Sequence, residues 1–109
     1  MQGQTELILE ALGQADLASM LGRLIGQPAS EAELTRDLEL GQSVATRGLK
    51  HLRTVGLVDR EGSRGPYRTS FPDETRSLLD ALDRLAGRII EARAVRDERL
   101  RNQREPKNV

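Results

Sequence analysis

Leu38-Glu39-Leu40-Gly41-Gln42-Ser43-Val44-Ala45-Thr46-Arg47-Gly48-Leu49-Lys50-His51-Leu52-Arg53-Thr54-Val55-Gly56-Leu57-Val58 is the stretch on which the fold turns. Gly41 interrupts one helical pattern, and Gln42 or Ser43 is the expected N-cap of the next. That second helix runs to Val55 and stops at Gly56, which has no Cβ to oppose the left-handed conformation of a helix end. Ala45, Leu49, Leu52 and Val55 recur at i, i+4, i+7 and i+10 and form one buried face. Ser43, Thr46, Arg47, Lys50 and Arg53 fall mostly on the other side. Two helices joined by so tight a turn, the second with a small polar and basic outer face, predict a helix-turn-helix.

Upstream, Ser30-Glu31-Ala32-Glu33 has the form of a capping box that opens the first helix of the pair, in which Leu34, Leu38 and Leu40 are the apolar positions. Residues 5–13 read as a short helix with Thr5 as N-cap, Ile8 and Leu12 on one face, and Gly13 as its stop. Asp16 to Ile25 reads as another, with Leu17, Met20, Leu21, Leu24 and Ile25 as its stripe. Gly26 and Pro28 end it.

Downstream, Leu57–Glu61 and Tyr67–Phe71 are two short β-type runs around the turn cluster Gly62-Ser63-Arg64-Gly65-Pro66. Together they predict a hairpin with a basic tip, and Pro66 places it at an edge. Arg60 and Arg68 are expected to pair across the strands with Asp59 or Glu61. Tyr67 is expected to pack at the hairpin base.

From Pro72 to about Arg104 the pattern is helical again, with Asp73 and Glu74 in the first turn. Leu78, Leu82, Leu85, Ile89 and Ala92 alternate four- and three-residue steps, a seam of coiled-coil type flanked by Leu79, Ala86 and Ile90. A helix of this length spans roughly 48 Å, more than a small domain needs to cover its own core, so the seam is expected to pair two copies. Residues 1–95 are expected to form one domain, including this dimerisation helix from about 72. Residues 96–109 are expected to fray as a charged tail in which arginines alternate with acids.

Composition narrows the function. The 109 residues are 37% hydrophobic and 31% charged, and only Tyr67 and Phe71 are aromatic. An aliphatic core this small favours oligomerisation. The formal net charge is zero, but its distribution is uneven. Residues 1–41 hold seven acids and two bases, whereas residues 42–71 hold six bases and two acids. A basic middle third in a neutral chain fits a surface that meets a polyanion. Without cysteine, disulfides and thiolate metal sites are excluded. The single histidine, His51, and the absence of a phosphate loop leave no catalytic constellation, so no enzyme and no cofactor is expected. No apolar run is long enough for a membrane, and a cytoplasmic location is expected.

At this point a resemblance becomes specific. Gln42, Ser43, Arg47, Leu49, Lys50, Leu52, Arg53, Gly56, Leu57 and Val58 match in place the recognition-helix pattern of the ArsR family of bacterial winged-helix regulators, which this sequence resembles. Arg60-Glu61-Gly62-Ser63-Arg64-Gly65-Pro66-Tyr67-Arg68 is similar to that family's wing. The likeness covers about residues 5–95, and MarR- and PadR-type regulators share parts of it.

The resemblance implies an α+β, mainly α, winged helix-turn-helix with a two-stranded wing and a long C-terminal dimerisation helix. It implies a homodimeric transcriptional regulator of double-stranded DNA, expected to be a repressor. Gln42, Ser43, Thr46, Arg47 and Lys50 are expected in the major groove and Arg64 at the wing tip. Leu78, Leu82, Leu85 and Ile89 are expected at the dimer contact. A winged helix used as a protein–protein adaptor is the alternative.

Two departures stand out. Gly48 replaces the family's histidine, at a helix cost of up to about 1 kcal/mol unless a close contact wants it. The family's metal ligands are also missing: the short helix has no Cys-x-Cys pair, and the last helix has Asp73, Asp80 and Asp83 but no histidine. No metal is expected, His51 is read as structural or phosphate-facing, and no residue pattern assigns an effector.

Overall fold

The computed structural model of the protein describes residues 3–104. The chain divides into two compact units, Met1–Arg76 and Ser77–Val109. The element order is α1 Gln4–Leu12, α2 Ala15–Gly26, α3 Glu31–Leu38, α4 Gln42–Val55, β1 Val58–Arg60, β2 Tyr67–Thr69 and α5 Pro72–Arg104. This is the mainly helical winged helix-turn-helix that the sequence predicts.

In the first unit α1, α2 and α3 all pack on α4. The buried aliphatic positions anticipated from periodicity meet there: Leu17, Met20, Leu21 and Leu24 of α2, Leu34 of α3, and Ala45, Leu49, Leu52 and Val55 of α4. Each large side chain removed from water in this way stabilises the fold by about 1.5–3 kcal/mol. Ile25 ends the α2 stripe only half-buried, and α1 buries Ala11 while Ile8 and Leu12 remain half-exposed.

The helix ends show where local rules were overridden. The capping box is present: the Glu33 amide donates to Ser30 Oγ at 3.1 Å, and the Ser30 amide donates to Glu33 Oε1 at 3.3 Å. At α1, however, the cap is Gly3 rather than Thr5. The Gln4 amide Nε2 donates to the Val55 carbonyl at 2.7 Å, so the first residue of α1 satisfies one of the orphan carbonyls that end α4. That contact between the end of α4 and the start of α1 favours a helix start upstream of Thr5.

The turn of the helix-turn-helix also differs from expectation. Glu39 takes the left-handed conformation (φ 54°), and the Leu40 amide closes α3 by donating to Thr35 O at 3.1 Å. Gly41 is extended and serves as the N-cap of α4, so neither Gln42 nor Ser43 has that role. Gly56 does take the left-handed conformation (φ 98°) at the end of α4.

Gly48 has the close contact that its presence in mid-helix demands. A Cβ there would run into the terminal methyl of Met20, which is fully buried in α2. Alanine would gain up to about 1 kcal/mol of helix propensity, yet overpacking a filled core costs about 1–3 kcal/mol. Met20 Cε is the far end of a flexible side chain and relieves part of that cost by turning aside, so Gly48→Ala is expected to stay within about 1 kcal/mol of the wild type in urea unfolding. In a Met20→Ala background the same change should raise stability by more than it does in the wild type, and an equal effect in both backgrounds would refute the contact.

β1 and β2 pair antiparallel, with Val58 opposite Thr69, Asp59 opposite Arg68 and Arg60 opposite Tyr67. The hairpin is anchored by a third extended segment that the sequence did not reveal. Ala29 donates to Tyr67 O at 3.0 Å and accepts from the Tyr67 amide at 2.8 Å. Tyr67 is buried at the hairpin base as expected. The second run is shorter than expected: the strand stops at Thr69, and the Phe71 carbonyl accepts from the Thr75 amide in the first turn of α5.

In the second unit the helix continues through Arg104, past the Arg96 boundary where fraying was expected; residues 105–109 of that expected tail lie outside the described residues. Leu78, Leu82, Leu85 and Ile89 are exposed at 38%, 41%, 56% and 45%. At about 100° per residue they share one stripe, and Leu100 returns to it three turns beyond Ile89. Arg96 lies in the same stripe and interrupts it.

Candidate nucleic-acid interface

The outer face of α4 is set by what its inner face must bury. Ala45, Gly48, Leu49, Leu52 and Val55 are turned into the core, which fixes the rotation of the helix. At about 100° per residue, Gln42, Ser43, Thr46, Arg47 and Lys50 then fall in an arc of about 140° on the opposite side. All five are exposed.

Arg53 and Thr54 fall in the same arc and are exposed as well. The sequence places Arg53 on the polar side without naming it a site residue, and only the burial of Leu52 and Val55 fixes its direction. A groove of about 540 Å³ runs between this part of α4 and the wing, lined by Thr46, Lys50, Arg53, Val58 and Tyr67.

The charges on this face are uncommitted. Among the described residues the ion pairs are Arg23–Asp37 at 3.2 Å and Arg36–Asp37 at 3.5 Å, neither of which involves Arg47, Lys50, Arg53 or Arg64. Arg64 is exposed in the wing turn. The cross-strand ion pairs expected of Arg60 and Arg68 do not form. The Arg60 guanidinium lies over the Tyr67 ring, 4.8 Å from its centroid, and its Nε donates to Gly65 O at 3.1 Å. Arg60 thereby braces the wing from within, since stacking on an aromatic face satisfies a half-buried guanidinium better than a screened surface pair.

Thr46 is held by two acceptors. Its hydroxyl is within hydrogen-bond reach of Gln42 O at 2.8 Å and of Glu31 Oε1. Glu31 is therefore part of this face, which no local spacing could reveal, because it lies fifteen residues away in sequence. On the opposite flank of α4, His51 is half-buried in a cleft of about 390 Å³ with Gln14, Asp16, Arg47 and Gly48. Among the described residues no three His, Cys, Asp or Glu side chains gather as metal ligands would, and no helix is long and apolar enough to cross a membrane.

Solved structures place this arrangement in a family. HlyU from Vibrio cholerae is 30% identical, with a TM-score of 0.63 over 75% of this chain and 90% of that one. The chain belongs to the ArsR-like, HlyU-containing family of winged-helix transcriptional regulators. A transcriptional regulator HlyU from Vibrio vulnificus is 26% identical, with a TM-score of 0.60 over 74% of this chain and 85% of that one.

A Mycobacterium bovis protein, a possible ArsR-family regulator, shares the fold with a TM-score of 0.69 at 24% identity, over 82% of this chain and 83% of that one. Its winged helix-turn-helix DNA-binding domain is homodimeric. No protein-family model and no curated protein matches the sequence. The structural relatives are transcriptional regulators rather than enzymes.

Proposed function

We propose that the protein is a homodimeric regulator that binds pseudo-palindromic double-stranded DNA and acts as a repressor by occupying its site. Gln42, Ser43, Thr46, Arg47 and Lys50 enter the major groove, where Gln can read adenine, Arg and Lys can read guanine, and the hydroxyls serve either base or phosphate. Arg64 reaches a neighbouring phosphate or the minor groove from the wing. Leu78, Leu82, Leu85 and Ile89 pair two copies, spacing the recognition helices about one helical turn (~34 Å) apart.

One observation carries this reading. The single exposed arc of α4 gathers polar and basic side chains whose charges have no ion-pair partner among the described residues. Counterion release makes such a surface bind a polyanion. The family and the homodimeric DNA-binding domain of the Mycobacterium bovis relative support it.

Selection from a random-sequence duplex library at two salt concentrations tests the proposal. Enrichment of a two-fold-related sequence is expected, with affinity falling roughly 10³-fold or more between 50 and 200 mM salt. No enrichment and no salt dependence would refute DNA binding and favour the adaptor reading, whose apolar complex would tolerate salt.

A further inference from the structure

We propose that Glu31 is a specificity-determining residue of the DNA-binding face: by holding the Thr46 hydroxyl hydrogen inward, it presents Thr46 to the major groove as a hydrogen-bond acceptor. This inference rests on the DNA-binding reading above.

Glu31 is the first residue of α3, yet it does not cap that helix; Ser30 and Glu33 close the capping box between them. It has no ion-pair partner among the described residues, although it adjoins the basic outer face of α4. Its carboxylate instead accepts from Thr46, which lies in the exposed arc of α4, and with Gln42 and Thr35 it lines a cleft of about 280 Å³.

A hydroxyl has one hydrogen and two lone pairs. At Thr46 both neighbouring acceptors, Gln42 O and Glu31 Oε1, belong to the protein, so the hydrogen is committed inward and the lone pairs face outward. In the major groove such an acceptor suits the amino group of adenine or cytosine and opposes the carbonyl oxygen of guanine or thymine. The negative charge of Glu31 adds a second effect. It penalises a phosphate at this place, so sequence-independent binding by the basic neighbours is weakened.

The test uses the full chain and the duplex that it selects. Glu31→Gln keeps the shape, removes the charge and puts an amide N–H within reach of Thr46 Oγ, which takes up one lone pair inside the protein and leaves Gln42 O as the one fixed acceptor competing for the hydroxyl hydrogen. Affinity for random-sequence duplex should rise about threefold. Preference for adenine or cytosine at one base position per half-site should fall roughly tenfold. Thr46→Val should erase preference at that same position. In the Thr46→Val background, Glu31→Gln should still tighten non-specific binding but leave base preference alone.

A purely structural role would lower the thermal midpoint and leave base preference intact, which overturns the proposal. So does a change at a base position that Thr46→Val does not affect. Failure of the wild type to enrich any sequence overturns the DNA reading and this inference with it. Enrichment by the wild type with unchanged preference in Glu31→Gln overturns only the inference.

Discussion

Arg47→Ala with Lys50→Ala is expected to weaken binding to the selected duplex by roughly a thousandfold while leaving the dimer and its thermal unfolding unchanged. Each good base contact from such a side chain is worth about 1–3 kcal/mol, and a two-fold complex loses every contact twice. Both residues are exposed on α4 and neither packs in the core, so the fold loses nothing. The salt dependence separates their two possible roles. If both reach phosphates, the slope of log affinity against log salt should become shallower by about 0.9 for each lost contact. If they read bases, selectivity collapses with less change in slope. Wild-type affinity in the double variant would remove α4 from the interface and leave the wing as the binding element.

The second large effect concerns the partner copy. Leu82→Glu with Leu85→Glu should convert the protein to a monomer, read by light scattering as a species of 12.1 kDa. Both positions are exposed in the single chain, so the substitutions place no charge in the core of the monomer. In a paired seam they would bury four carboxylates without partners, at several kcal/mol each. DNA affinity should fall with them, because two half-sites would no longer be bound as one unit. A mass of twice 12.1 kDa for the variant would place the dimer contact elsewhere. Leu100 offers a finer probe: its return to the stripe predicts that Leu100→Glu weakens the dimer less than the central pair does, since Arg96 interrupts the seam before it.

Much of this molecule was legible in residue order. Wherever an element is specified by its own neighbours, the sequence reading stands: the Ser30–Glu33 capping box, the Gly56 stop, the Leu49–Leu52–Val55 face and the helical start at Pro72. These are short-range effects, fixed by rotamers and hydrogen bonds within one or two turns. The misreadings lie where a distant partner intervened. Thr5 would make a good cap, but Gln4 reaches the end of α4 and starts the helix earlier. Gln42 or Ser43 would make a good cap for α4, but α3 ends in the left-handed Glu39 and Gly41 becomes the cap instead. Arg60 has acidic neighbours in sequence but a buried tyrosine ring opposite it on the sheet.

The candidate interface divides in the same way. Periodicity alone separated the polar arc of α4 from its buried side, so Gln42, Ser43, Thr46, Arg47 and Lys50 were readable as one face. Local spacing could not show that Ala29 would anchor the wing through Tyr67, that Met20 would pack against Gly48, or that Glu31 would reach Thr46. Each of these contacts joins residues 15 or more positions apart in sequence. By itself the sequence determined the elements and the faces that they present, because both follow from side-chain order along a helix or strand. Only the tertiary structure decided which acceptors, rings and methyl groups meet across them, because packing chooses partners by distance in space, to which the order of residues carries no local clue.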